Sequence, residues 1–80
     1  MYIHISNLNR QVKEADILYL FKAYASVGHC TIHHIRNTNT REPDTYALVD
    51  MADTADTEHC VQFLNGTLLG GRKIIVQIGS

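Results

Sequence analysis

The stretch DTYALVDM, residues 44–51, alternates in hydropathy with a period of two. Ala47, Val49 and Met51 fall on one side and Tyr46, Leu48 and Asp50 on the other, as in a strand with one buried face. Upstream lies RNTNTREPD (36–44), a polar loop that holds the only proline in the chain. Downstream, TADTEHCVQFL (54–64) changes to helical spacing, with Cys60, Val61 and Leu64 as its core stripe. Asp53 or Thr54 is its N-cap, and Asp56 and Glu58 suit the positive end of its dipole. Asn65-Gly66 stops it.

The rest of the chain repeats these two periods. In YIHIS (2–6), Ile3 and Ile5 face one way and Tyr2, His4 and Ser6 the other, which predicts a first half-buried strand. After the turn NLNRQ, the residues Val12, Ala15, Ile17, Leu18, Leu20, Phe21 and Tyr24 recur at helical spacing. They predict an amphipathic helix over about 12–25. VGHCTIHHI (27–35) is rich in β-branched residues, with Val27, Cys30 and Ile32 as core positions. The spacing from Val27 to Cys30 suggests a bulge near Gly28. KIIVQI (73–78) is the last strand, with Ile74, Val76 and Ile78 inward and Ile75 and Gln77 outward.

The order is βαββαβ. Two helices cover one face of the sheet, and the other face is left to solvent or a ligand. Right-handed crossovers in a split βαβ pair give an α+β, ferredoxin-like sandwich, its four antiparallel strands in the order 4-1-3-2.

Eighty residues make one domain, 1–80. The chain is 45% hydrophobic and 19% charged, an ordinary globular balance. No apolar run approaches the roughly 18 residues of a membrane span, and MYIHIS does not resemble a signal peptide. These features predict an intracellular, cytoplasmic protein without membrane association. Cys30 and Cys60 sit in apolar patterns and read as reduced core residues, with a disulfide as the alternative. The net charge of −1 weighs against strong phosphate binding, although local charge matters more than the total.

Ferredoxin-like sheets host many activities, so the fold alone does not assign one. IHISNL (3–8) resembles the hexapeptide ribonucleoprotein motif of the RNA recognition motif (RRM) family, and DTYALVDM occupies the place of its octapeptide. DTEHCVQFLNG (56–66) followed by LLGGRKIIV (68–76) looks like the family's ending, LNG…L.GR.I.V. Val12, Asp16, Ile17, Leu18, Phe21 and Tyr24 match its first-helix pattern. By this resemblance the first stacking ring falls on His4. The position that packs between sugars falls on Tyr46, and the second stacking position, usually aromatic, on Leu48. The basic lead residue falls on Asp44 and the following glycine on Thr45. The chain is similar to compact single-domain members from bacteria; a piece of a longer protein would read the same way.

Spacing leads to the same face. His4, Tyr46 and Leu48 share one side of neighbouring strands about 4.8 Å apart. Thr31 and His33 extend that side on the second strand, with His29 near its start, and Ile75 and Gln77 extend it on the fourth. Such a surface suits unstacked bases. Arg36 and Arg41 flank the loop between the second and third strands. Arg72 and Lys73 enter the fourth, so four cations rim the face. The expected partner is single-stranded RNA, bound weakly and at low specificity over roughly two to four nucleotides. The alternative is a protein-interaction or self-association module, in which Leu48, Ile75 and Tyr46 meet a polypeptide or a second copy.

Five histidines invite a metal reading. The strand order weighs against it, because the third strand separates His4 from the second by roughly 9–10 Å. No metal or cofactor is expected. Imidazoles on the face instead suggest RNA binding that strengthens as pH falls. His34 is expected on the core side and His59 on the exposed side of the second helix. An open sheet offers no enclosed pocket or nucleophile–base pair, and SNLNRQV contains Arg10 without the glycine-rich cradle that acylphosphatases need. No catalytic residue is expected.

Overall fold

The computed structural model describes residues 2–24, 27–36 and 43–79. Arg41 therefore lies outside the described residues. Arg36 and Asp44 are placed by their backbone alone.

The elements run β1 (Tyr2–Ser6), α1 (Glu14–Lys22), β2 (His29–Arg36), β3 (Pro43–Asp50), α2 (Thr54–Leu64), β4 (Leu68–Leu69), β5 (Arg72–Lys73) and β6 (Ile75–Gly79). The main sheet has the order β2-β3-β1-β6, with all three pairings antiparallel. This is the ferredoxin-like order 4-1-3-2 read from the opposite edge, with β6 as the fourth strand. Period-two alternation sends Ile3, Ile5, Ala47, Val49 and Val76 under the helices, where all are at most 1% exposed. They meet Ile17 and Phe21 from α1 and Cys60 and Leu64 from α2. Thr57 is also fully buried; its hydroxyl donates to the Asp53 carbonyl at 2.7 Å, so its polar atom is satisfied inside the helix.

Helix α1 is shorter than the expected 12–25. Val12 is buried, but it belongs to the turn before the helix, where its N–H donates to the Asn9 carbonyl at 3.0 Å. Asp16 fixes the start by accepting from the Lys13 N–H at 2.9 Å. At the other end the Tyr24 N–H reaches back to Phe21 at 2.9 Å, a three-residue closure that tightens the last turn. Ala15 and Leu18 point away from the core. In α2, Asp53 is the cap: its carboxylate accepts from the N–H groups of Ala55 and Asp56 at 2.8 and 3.1 Å.

The LNG sequence (64–66) ties α2 to the sheet. The Asn65 side-chain oxygen accepts from the Val76 N–H at 3.0 Å, and the Gly66 N–H donates to Ile74 at 2.8 Å. Gly66 has φ +85°, a conformation that a side chain disfavours.

Three expectations about strands are corrected. Pairing of β2 with β3 is continuous from His29↔Asp50 to Arg36↔Pro43, so no bulge lies at Gly28. Val27 precedes the strand, and the Gly28 N–H donates to Asp50 at 3.1 Å as a simple lead-in. The last strand begins at Ile75 rather than Lys73, because Arg72 and Lys73 pair with Leu69 and Leu68 in a separate two-stranded ribbon. Ile78 has the inward parity but is 47% exposed near the end of β6, so it is not a core residue.

Cys30 and Cys60 are free, buried thiols. Burial, with the Glu14 carboxylate adding to it, pushes the Cys30 thiol up to about 11. Burial and the Asp56 carboxylate also raise Cys60.

Candidate nucleic-acid interface

The helices leave one side of the sheet uncovered, and strand register arranges that side as rows. Thr31, Leu48, His4 and Gln77 form one row across β2, β3, β1 and β6. The next row, one pleat nearer the β2–β3 loop, contains His33 opposite Tyr46, and Ser6 opposite Ile75. The row on the other side contains His29, Asp50, Tyr2 and Gly79. Parity alone puts these residues on the face, because their neighbours Cys30, Ala47, Val49, Ile3, Ile5 and Val76 are committed to the core.

Tyr46 is the middle of a three-ring ladder. Its ring centre lies 5.3 Å from that of His4, with planes 22° apart, and 5.0 Å from that of His33, with planes 19° apart. Side-by-side rings lying flat on the sheet would collide at such separations. The rings therefore stand as offset stacks, the favoured arrangement of aromatic faces. A hydrogen bond of 3.2 Å between the Thr31 hydroxyl and His33 Nε2 orients the outermost ring. His4, Tyr46, Leu48 and Thr31 are half-buried; His33 and Gln77 are exposed, and Ile75 is 44% exposed.

The backbone positions of Arg36, Arg72 and Lys73 lie toward one end. Arg36 stands opposite Pro43 where β2 gives way to the loop. Arg72 and Lys73 are exposed on the β4–β5 ribbon, and two asparagines of the first turn hold that ribbon in place. Asn7 donates its amide to the Lys73 carbonyl and Asn9 to the Gly70 carbonyl, both at 2.8 Å. Gly70 must be small as well as left-handed, with φ +61°, because a side chain there would press on Asn9 Cβ at 3.1 Å. Lys73 thus lies beside the Ser6–Ile75 end of the platform, the same end as Arg36. Asp50 marks the opposite end.

His34 lies on the helix side, as expected, with Nδ1 3.1 Å from the Thr45 hydroxyl. It borders a crevice of about 210 Å³ with Val12, Lys13, Glu14 and Ile32. His59 is exposed on α2 and joins Tyr24 and Phe63 in a ring cluster, with His59 and Phe63 centred 4.4 Å apart. His59 and Phe63 lie one turn apart on α2, and Tyr24, just past the end of α1, joins them across the helices, a contact that periodicity does not signal. Among the described residues, no three His, Cys, Asp or Glu side chains are placed to hold a metal ion.

The family model described as RNA recognition motif matches residues 3–75. The chain belongs to the RNA recognition motif family. This is a fold of an RNA-binding, non-enzymatic kind. A curated relative is the U2 snRNP component IST3 of Saccharomyces cerevisiae, 37% identical over 73 residues. The match covers 91% of this chain and 48% of the yeast protein, so the chain spans about half the length of that relative. This relative is a yeast protein and gives no support to the likeness with compact bacterial members. Among solved structures, the third RRM domain of Mip6 superposes with a TM-score of 0.85 at 19% identity, covering 99% of this chain and 92% of that one. The crystal structure of RNA binding protein PG1 gives a TM-score of 0.75 at 30% identity, covering 96% of this chain and 90% of that one.

Proposed function

We propose that this RRM domain binds short single-stranded RNA across its open sheet face. The observation that carries the reading is the ladder His33–Tyr46–His4, three near-parallel rings on the uncovered face of a family member. Bases stack on the outer faces of His4 and His33, while the Tyr46 ring edge and hydroxyl meet sugars between them. Leu48 is an apolar shelf between Thr31 and His4. Ile75 and Gln77 extend the platform over β6, and Arg36, Arg41, Arg72 and Lys73 hold phosphates at the rim. Imidazole and leucine stack less strongly than the phenyl and indole rings they replace, which keeps the binding weak and of low sequence specificity.

The test is fluorescence anisotropy with labelled oligonucleotides at several salt concentrations, with Tyr46→Ala as control. Salt-dependent binding that the variant loses supports the reading. Absence of binding below millimolar, with concentration-dependent dimerisation, replaces it with self-association through the same face. The yeast relative is named as a U2 snRNP component, and a place in a ribonucleoprotein particle of that kind is the cellular reading we favour. Co-purification with U2 RNA would support it, and recovery without any small nuclear RNA would end it.

A further inference from the structure

The row farthest from the cations contains a ring that the platform described above does not use. Tyr2 shares the parity of His4, and its side chain is 49% exposed on the open face. Among the described residues it stacks on no other ring, unlike Tyr46, both of whose neighbours are occupied. Its cross-strand partners differ sharply. On β3 it faces Asp50, and on β6 it faces Gly79. A side chain at Gly79 would project onto this face, 3.8 Å from Tyr2 Cβ and 3.9 Å from His4 Cβ. With glycine there, no side chain of β6 covers the flank of Tyr2 among the described residues. The flank toward β3 ends in a carboxylate, half-buried on the same face.

Directly opposed residues in an antiparallel pair have Cβ atoms roughly 4.5–5.5 Å apart. A base stacked on Tyr2 with its sugar over Gly79 would bring one edge to Asp50. A carboxylate only accepts hydrogen bonds, and does so best from two parallel donors. Guanine is the base whose Watson–Crick edge sets two donors side by side, N1–H and the N2 amino group. Adenine and cytosine place one donor beside an acceptor, and uracil sets its donor between two carbonyls.

We propose that Tyr2, Asp50 and the gap over Gly79 form a further nucleotide subsite that selects guanine, at the end of the platform away from the β2–β3 loop. The inference rests on the RNA-binding reading and adds a subsite and a base preference to it. It also gives the face a direction: phosphate-holding cations at one end and an edge-reading carboxylate at the other.

The test is anisotropy with labelled hexauridine and six derivatives, each with a guanine at a different position. Wild-type protein should bind the best guanine derivative about fivefold or more tighter than hexauridine, the range of a good bidentate base contact. Asp50→Asn, which replaces one of the two acceptor oxygens with a donating amino group, should bring that ratio to about one. Tyr2→Ala should lose the gain and Tyr2→Phe should keep it, since stacking needs only the ring. Gly79→Ala is an independent probe: its Cβ would meet the Tyr2 carbonyl oxygen at 3.4 Å, Tyr2 Cβ at 3.8 Å and His4 Cβ at 3.9 Å, all ordinary contacts, so it narrows the gap without a clash. It should also lose the gain. If hexauridine binds and depends on Tyr46, but all guanine positions bind alike or Asp50→Asn keeps the preference, the subsite is overturned and the RNA reading stands. If no oligonucleotide binds, both fall.

Discussion

His33 and Tyr46 stand directly opposite each other on β2 and β3, their ring centres 5.0 Å apart and their planes within 19°. The Thr31 hydroxyl holds the imidazole from the side at 3.2 Å. Tyr46 is thereby fixed between His33 and His4 rather than free to swing over a ligand. A stack ordered before the ligand arrives loses less conformational entropy on binding.

Replacing Tyr46 by alanine removes the middle of the ladder. RNA affinity should fall by ~1–3 kcal/mol, the usual loss for a base-stacking aromatic. His33→Ala should cost less than Tyr46→Ala, because it frees only one side of the tyrosine. Anisotropy titrations of both variants check the ranking, and a loss on His33→Ala as large as that on Tyr46→Ala would overturn it.

Leu48 occupies the register position directly between Thr31 and His4, where the family usually has an aromatic. Leu48→Phe supplies the missing π-face and should raise affinity about tenfold. The same titration reads the gain. An unchanged affinity would mean that no base reaches this part of the sheet.

Arg72 and Lys73 are exposed beside the Ser6–Ile75 end of the platform. If each holds one phosphate, the double variant Arg72→Ala/Lys73→Ala should flatten the plot of log affinity against log salt by about 1.4, that is ~0.7 per contact on a single strand. Uniform weakening across sequences should accompany it. A slope that does not move would place the phosphates elsewhere on the rim.

Much of this was legible from spacing. From Thr45 to Asp50, β3 carries the expected alternation without interruption, and α2 runs over 54–64 as its caps predict. The face shared by His4, Tyr46 and Leu48 follows from the same parity. What spacing missed involves contacts between elements. The turn at Asn9 holds Val12 in the core ahead of the helix, so apolar periodicity overran the start of α1. Lys73 reads as the start of the last strand, but the turn at Gly70 and Gly71 folds it back onto Leu68 in a separate ribbon. His33 stacks on Tyr46 because of register, which no single segment encodes. Tyr2 lies on the open face by simple alternation, yet it precedes the recognised motif and its value depends on the empty position at Gly79.

Cys30 should make stability fall in alkali. Its thiol is raised to about 11 in the folded chain from an ordinary 9.0. The unfolded chain therefore gives up this proton first, so unfolding is favoured as pH climbs from 9.0 toward 11. Below 9.0 the group is protonated in both states and contributes no slope. Urea denaturation of wild type and Cys30→Ser at pH 8 and pH 10.5 should show the larger alkaline loss in wild type. Equal losses would assign the effect to other groups.

The most direct measurement is an amide NMR titration of the domain with a short single-stranded RNA. Binding across the open face predicts shifts at His4, His33, Tyr46 and Leu48, fading through the buried Ile17 and Phe21 of α1. Shifts confined to the helix-side cluster of Tyr24, His59 and Phe63, or none at saturating RNA, would contradict it.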